Sequence, residues 1–303
     1  MECLGKRAGN GHAVGMAILG KRNQLQVLRQ APPGYFLDGG EYGEILLPGK
    51  YVPAGLPIGS EIEVFLYRDS EDRLVATTQT PIAEVGDFAF LRIVGIQPGI
   101  GAFLDWGLDK DLLLPRREQN GFHREGDRVV VHVCIDEISD RIVATMRLNR
   151  WLSKTPPTYA KDQPVRLLIS GETPLGYNAI VDNAHRGLLY HTDLATRLEM
   201  GQSLDGFARA VRPDGKIDLA LDRTGFARIA PLTTQILEAL RAGGGSLPYD
   251  DSSPPEAIRS AFGVSKKAFK QAVGALFRKR LIILSPGSIS LAPSSQNSKA
   301  THK

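Results

Sequence analysis

The clearest hydrophobic pattern in the chain is an alternation of side chains over residues 129–135. One face carries only branched aliphatic side chains (Val129, Val131, Val133 and Ile135), and the opposite face includes His132 and Cys134. Side chains two residues apart share a face of a β-strand, so this period predicts a strand that packs on a core.

Two longer patterns recur three times, at intervals of about 70 residues. The first is a Gly, an apolar strand that ends in Asp, a polar turn and a second apolar strand, in 34–48, 101–115 and 176–194. The second is a Gly, an alternating strand, an acidic turn and a final strand, in 58–79, 125–148 and 200–223. One further strand precedes each repeat, in Gln24–Arg29, Asp87–Ile96 and Pro164–Ser170. Five short antiparallel strands per unit predict a small closed barrel of the OB type.

The C-terminal part follows a different pattern. Segments 232–244, 254–263 and 265–280 predict helices, the second with prolines at its start and Gly263 at its end. Residues 281–293 predict a hairpin that turns at Pro286 and Gly287. A helix, a helix–turn–helix and a hairpin together describe a winged helix. The predicted fold class is therefore mainly β with a small α+β end, three tandem five-stranded barrels followed by a winged-helix domain.

Pro-containing segments and changes of pattern predict the domain boundaries. We expect a disordered N-terminal extension, three barrels separated after the second by a linker, a winged helix and a disordered tail. In order along the chain, these are 1–16, 17–80, 81–150, 151–160, 161–228, 229–293 and 294–303.

The positive charge of the chain is concentrated at its C-terminal end. The 303 residues carry 37 Lys and Arg against 33 Asp and Glu, a net charge of +4. Residues 229–303 hold 10 of the basic and 4 of the acidic side chains, a net of +6, and the remaining residues have a net of −2. A polyanion is therefore expected to bind at the C-terminal quarter.

Cysteine spacing and hydropathy indicate the compartment. Cys3 and Cys134 are far apart and form no zinc-ligand motif. No apolar run reaches the roughly 18 residues that a membrane span needs, and residues 1–15 lack the apolar segment of a secretory signal. The sequence therefore predicts a cytoplasmic protein with no membrane segment, metal ion or other cofactor.

The repeated strings resemble the RNA-binding domain of ribosomal protein S-one. That pattern runs through an F-G-A-F strand, a G-L-V-H-x-S-E-L turn and a G-D-x-V-x-V strand. The second repeat matches it with IGAFLD (100–105) and EGDRVVVHV (125–133), and the third with GLLYHTDL (187–194). Together with SKKAFKQAVGALFRKR (265–280), the repeats resemble the conserved-virulence-factor-B family of bacterial RNA-binding regulators over about residues 17–293. The resemblance implies RNA binding and post-transcriptional regulation, without fixing a target.

Nucleic acid crosses one face of such a barrel, and aromatic rings stack on its bases. The candidate side chains in the barrels are Phe103, Trp106, Tyr177 and Tyr190 for stacking, Arg141 and Arg147 for phosphates, and His191 for a phosphate or base. Trp106 lies in a turn after its strand, where a core residue is less expected. The alternative is that the rings fill the barrel cores and that His191 is simply solvated.

The segment 265–280 predicts an amphipathic helix. Its apolar stripe consists of Phe269, Ala272, Val273 and Leu276. The candidate nucleic-acid contacts on the opposite face and at the ends are Lys266, Lys267, Lys270, Gln271, Arg278 and Lys279. The alternative is a solvated surface without a partner. A winged helix can also contact duplex DNA through this face, so the pattern does not separate RNA from DNA.

The barrels themselves are acidic, with net charges of −3 over 22–80, −2 over 81–150 and −1 over 160–226. An acidic barrel repels phosphate overall, although a local basic patch can still bind it. We therefore expect the first barrel to be a spacer or a protein-contact module.

The sequence predicts a non-catalytic RNA-binding regulator that binds single strands through barrels two and three and the winged helix. The alternatives are a DNA-binding transcription regulator that uses the winged helix and a protein-interaction scaffold. An RNA-processing enzyme is disfavoured, because every segment is assigned to a small barrel or the winged helix. The sequence also lacks a compact Asp/Glu or His/Asp cluster of the kind that metal-assisted hydrolysis requires.

Overall fold

A computed structural model of the protein describes residues 17–194, 196–221 and 226–292, with side chains for all of these except 226–231. The chain divides into two compact units, with the boundary between Trp151 and Leu152. The first unit contains two barrels, and the second contains the third barrel and the helical C-terminal part. The prediction that residues 1–16 and 294–303 are disordered falls outside these described ranges.

Three closed five-stranded barrels confirm the predicted architecture. The first comprises β1 (Arg22–Ala31), β2 (Gly34–Asp38), β3 (Glu44–Pro48), β4 (Glu61–Arg68) and β5 (Leu74–Thr77). The second comprises β6 (Phe88–Gln97), β7 (Gly101–Asp105), β8 (Leu112–Pro115), β9 (Arg128–Ile135) and β10 (Ile142–Thr145). The third comprises β11 (Gln163–Thr173), β12 (Gly176–Val181), β13 (His185–Tyr190), β14 (Ser203–Val211) and β15 (Ile217–Ala220). In each barrel the strand order is first, second, third, fifth, fourth.

The first strand of every barrel bends at the same place. Its register shifts by one residue between Val27 and Arg29 in β1, and at the equivalent positions of β6 and β11. An extra residue at such a bulge bends and twists the strand. The bent strand pairs with the second strand on one side and the fourth on the other, which closes the sheet.

The glycine that opens the second strand of each repeat is required by a close backbone approach. A Cβ atom on Gly34 would lie 2.2 Å from the carbonyl oxygen of Leu47. The corresponding distances to a carbonyl oxygen are 2.3 Å at Gly101 and 1.9 Å at Gly176. No side chain fits at these distances, which explains why a Gly recurs at this point of the repeated pattern.

The first and second barrels share a hydrophobic core. Phe65, Tyr67 and Val75 of the first barrel belong to the same buried cluster as the interior of the second. Trp106 is 2% exposed in this cluster, and its indole N–H donates to the Lys110 carbonyl at 2.6 Å. The two barrels thus cover one another at this surface, within one compact unit.

Polar contacts reinforce this interface. The Asp109 carboxylate of the second barrel accepts hydrogen bonds from Lys50, from Tyr51 at 2.7 Å and from Gln79 at 2.9 Å. The Lys50 hydrogen bond, with those of Tyr51 and Gln79, holds the pKa of Asp109 well below its ordinary value. The acidic charge at this position therefore serves barrel–barrel association.

Both faces of β9 are buried. The outward-pointing His132 is 3% exposed, because Phe88 and Trp151 cover its ring. The centroid distances are 4.6 Å to Phe88 and 4.5 Å to Trp151, with the Trp151 ring nearly parallel at 16°. This burial lowers the pKa of His132 to about 4.

The C-terminal elements form the predicted winged helix. They are α1 (Phe226–Ala242), β16 (Ser246–Leu247), α2 (Pro255–Phe262), α3 (Lys266–Arg278), β17 (Ile282–Ser285) and β18 (Ser288–Leu291), with sheet order β16–β18–β17. The first helix begins six residues before its predicted start of 232. The predicted apolar stripe of α3 is buried in the core of this part.

Candidate nucleic-acid interface

A cavity of about 640 Å³ lies between the third barrel and the winged helix, within the second unit. We call it the barrel–helix cleft, and its lining comprises His191, Thr192, Pro255, Arg259, Ser265, Lys266, Lys267, Lys270 and Gln271. Five of these side chains were predicted contacts, one in a barrel turn and four on a helix. The structure brings them together in one cleft.

Local structure positions the helical side of the cleft. α2 ends at Gly263, whose left-handed φ of 66° suits a glycine. The chain then turns at once, and the Ser265 side chain accepts a hydrogen bond from the Ala268 N–H at 3.3 Å. This cap fixes the start of α3 and so places Lys266, Lys267 and Lys270 along one wall.

The turn after β13 forms the barrel side of the cleft. His191 Nε2 lies 3.0 Å from the Thr173 carbonyl oxygen and 3.7 Å from the Glu172 carboxylate. The edge of its ring contacts Tyr177, with the centroids 5.0 Å apart. His191 is therefore held in place by its neighbours, while part of its side chain remains exposed to the cleft.

Direct contacts join the two walls. Lys267 Nζ lies 3.0 Å from Asp193 Oδ1. The Arg259 guanidinium of α2 donates to the Leu194 carbonyl at 3.4 Å. The N-terminal turns of α3 are thus docked against the third barrel.

Two predicted stacking residues are buried, and these predictions are corrected. Tyr177 is 3% exposed and belongs to the core of the third barrel. Trp106 is 2% exposed because the first barrel packs over the turn that carries it. Neither ring therefore has a face exposed for stacking on a base.

The other predicted aromatic residues are half-buried. Phe103 lines a smaller cavity of about 140 Å³ between the first two barrels, together with Arg68 and Arg141. The Tyr190 hydroxyl donates to Asp218 at 3.2 Å and accepts from Arg212. Burial and the adjacent Asp218 raise the pKa of Tyr190. Both rings lie outside the barrel–helix cleft.

The predicted arginines of the second barrel already have protein partners. Arg141 forms an ion pair with Asp72 of the first barrel. Arg147 donates to the Arg117 carbonyl at 2.6 Å and lies 3.6 Å from Glu118. Both guanidinium groups are engaged by neighbouring residues of the protein, which favours an architectural role for these two positions.

The basic stripe of α3 divides into two parts. Lys267 and Lys270 face the barrel–helix cleft, whereas Arg278 and Lys279 are exposed at the other end of the helix and do not line it. The third barrel covers only the first turns of α3. The helical period of the sequence shows which residues share a face, but not which turns another domain covers.

Sequence reasoning missed Asp193 and Arg259. Arg259 is the only basic residue of α2, and Asp193 lies in the turn string GLLYHTDL that the family resemblance rested on. Both signals were therefore present in segments already singled out. Within the described ranges, no group of three or more His, Cys, Asp and Glu side chains is arranged to bind a metal ion. None of the helices in those ranges has the length and apolarity to cross a bilayer.

Comparison with known proteins agrees with this architecture. Residues 19–79 match the S1 domain, the domain type of ribosomal protein S-one. Residues 234–291 match the CvfB-like winged helix domain. The resemblance to the conserved-virulence-factor-B family is confirmed. S1 and winged-helix domains are nucleic-acid-binding domains rather than catalytic ones, so the two matched regions indicate nucleic-acid binding.

Individual relatives cover most of the chain. YitL of Bacillus subtilis is 27% identical over 275 residues, which are 86% of this chain and 89% of that protein. Conserved virulence factor B of Staphylococcus saprophyticus is 24% identical over 291 residues, 90% of this chain and 94% of that protein. A crystal structure of a multidomain protein with nucleic acid binding domains from Streptococcus pneumoniae is 22% identical, with 90% of this chain and 98% of that one covered and a TM-score of 0.39.

Proposed function

We propose that the protein is a non-catalytic, cytoplasmic RNA-binding regulator that holds single-stranded RNA in the barrel–helix cleft. The observation that carries the proposal is the convergence of His191 from the third barrel with Lys266, Lys270 and Gln271 from α3 on one cavity. The lysine ammonium groups can bind phosphates, and the His191 imidazole and the Gln271 amide can hydrogen-bond to base edges of an RNA strand.

The docking of α3 favours single strands over duplex DNA. A recognition helix reads the major groove with its N-terminal residues, which must be free to enter the groove. In this protein those residues face the third barrel, and Lys267 is paired with Asp193. An unpaired strand fits a cleft between two domains without undocking them.

The other barrels have supporting roles in this proposal. The second barrel adds a weaker contact through half-buried Phe103, since its candidate phosphate ligands Arg141 and Arg147 are paired within the protein. The first barrel, with its net charge of −3 over 22–80, is a spacer that also offers a surface to a protein partner. The regulatory part of the proposal rests on the resemblance to the conserved-virulence-factor-B family, which includes the relative from Staphylococcus saprophyticus.

Fluorescence anisotropy with labelled single-stranded RNA, and unlabelled RNA or duplex DNA as competitor, tests the proposal. We expect RNA to bind without added metal or nucleotide, to remain uncut, and to resist displacement by duplex DNA. The double variant Lys266→Gln/Lys270→Gln should bind weakly.

The matched control is Lys154→Gln/Lys161→Gln, which removes the same charge at two exposed positions outside the cleft. Equal losses of affinity in the two double variants, or efficient displacement of RNA by duplex DNA, contradict the proposal.

A further inference from the structure

We infer that Asp193 is a positioning residue of the barrel–helix cleft: its carboxylate holds the start of α3 on the third barrel, so that removing this negative charge weakens nucleic-acid binding. The inference rests on the proposed function, and it concerns a residue outside the cleft lining.

Asp193 bridges the two domains. It ends the short turn His191–Asp193 that follows β13, and its side chain is only 6% exposed. Arg209 Nη1 of β14 donates to Asp193 Oδ2 at 2.6 Å, and Lys267 Nζ of α3 donates to the same oxygen at 3.3 Å while lying 3.0 Å from Oδ1. A buried carboxylate needs such partners, because an unpaired charge removed from water is costly. One cation comes from the barrel and one from the helix.

In this geometry, the lysines at the start of α3 have different roles. Lys267 directs its ammonium group to Asp193, so it acts on the position of the helix. Lys270 lies one turn later, and the carboxylate paired with it among the described residues is the exposed Asp251, at 3.8 Å. Lys266 lies beside the anchored residue and lines the same cleft. Lys266 and Lys270 are therefore the side chains available to phosphate.

The sign of the effect makes the inference testable. A carboxylate close to a polyanion repels it, so pure electrostatics predicts that the loss of Asp193 strengthens binding. The positioning role predicts the opposite, because α3 loses its anchor and Lys266 and Lys270 no longer share a cleft with His191.

A double-mutant cycle on the full chain, measured by anisotropy with a labelled single-stranded RNA, distinguishes the two. Asp193→Asn and Lys267→Gln should each weaken binding by about tenfold, equivalent to roughly 1.4 kcal/mol. The double variant should bind no more weakly than either single variant, because both break one link.

The control is Glu256→Gln on α2, which removes a negative charge that is 88% exposed and lines a neighbouring cavity that shares His191 and Arg259 with the cleft. It should bind as tightly as wild type or more tightly. Tighter binding by Asp193→Asn overturns the inference. A second result would also overturn it: adding Lys267→Gln to Asp193→Asn weakens binding further and lowers the salt slope by about 0.7. Lys267 would then contact a phosphate rather than Asp193.

Amide hydrogen exchange separates failure of this inference from failure of the proposed function. In Asp193→Asn, the first turns of α3 should exchange faster while the barrel strands keep their protection. Unchanged exchange in α3 overturns the inference, whether or not RNA binds. If Asp193→Asn does not fold, Lys267→Gln breaks the same link from the side chain that is 54% exposed. Wild-type protein that binds no RNA overturns the proposed function alone.

Discussion

Trp106 of the second barrel and Phe65 of the first pack edge to face, with ring centroids 5.7 Å apart and an angle of 82° between the rings. This contact places Trp106 in a core that belongs to two barrels at once. A tryptophan in a turn of a nucleic-acid-binding barrel resembles a base-stacking residue, but here its partner is another domain of the same chain.

Trp106→Ala should therefore lower stability, by about 3–5 kcal/mol for a buried aromatic truncation. The measurement is the midpoint of urea unfolding of the first unit. Circular dichroism at several wavelengths follows the unfolding, because a chain with several domains need not unfold in a single transition. Phe122→Ala is the control, since Phe122 is 94% exposed, and its midpoint should stay at the wild-type value. A stable Trp106→Ala protein with impaired RNA binding would restore Trp106 as a stacking residue.

The barrels could be predicted from sequence because their signals are local. The predicted strand Gln24–Arg29 lies inside β1, Arg22–Ala31, and the recurring Gly reports a backbone contact that every repeat makes. The core stripe of α3 was predictable for the same reason, since a helical period is set within a few turns.

The site was only partly predictable because it depends on which surfaces cover one another. Local pattern placed Lys267 on the polar face of α3, but its partner Asp193 lies 74 positions away in the chain. Tyr177 and Trp106 have ordinary strand and turn surroundings in the sequence, and tertiary packing alone buries them. The lysines that line the cleft could be singled out from the sequence, because a basic stripe on a helix is recognisable even when the surface that it faces is unknown.

The salt dependence of binding should identify the lysines that contact phosphate. Each phosphate contact on a single strand contributes about 0.7 to the log–log slope of affinity against salt. Lys266→Gln/Lys270→Gln should therefore reduce the slope by about 1.4. The pair Arg278→Gln/Lys279→Gln removes equal charge at the exposed end of α3 and should leave the slope nearly unchanged. A larger reduction from the second pair would move the binding surface to that end of the helix.

Arg141 should matter little for RNA binding, because its guanidinium is paired with Asp72 of the first barrel. We expect Arg141→Gln to leave RNA affinity at the wild-type value and to change the unfolding midpoint little, as for other exposed ion pairs. Titration of both proteins with the same RNA checks this. A clear loss of affinity would instead indicate that RNA displaces Asp72 from Arg141.

The first unit should lose stability in acid through His132. Burial lowers the pKa of His132 to about 4 in the folded protein, against about 6.5 in an unfolded chain. Between these values the unfolded chain binds the extra proton, so stability falls as pH decreases from 6.5 to 4, by up to about 3 kcal/mol.

His132→Phe keeps a ring between Phe88 and Trp151 and removes the titrating group, so its stability should vary less over this range. Urea midpoints of both proteins at pH 7.5, 5.5 and 4.5 measure the difference, in which contributions from carboxylates cancel. Parallel curves for the two proteins would show that His132 is not the group responsible.

Photocrosslinking of bound RNA tests the central claim most directly. RNA that contains a photoactivatable uridine is bound to the full chain, irradiated and digested, and the crosslinked peptides are identified by mass spectrometry. A strand held in the barrel–helix cleft should crosslink to both walls, to residues 190–194 of the third barrel and to 259–271 of the winged helix. Crosslinks confined to the first two barrels, or to the end of α3 around Arg278 with none in the third barrel, would contradict it.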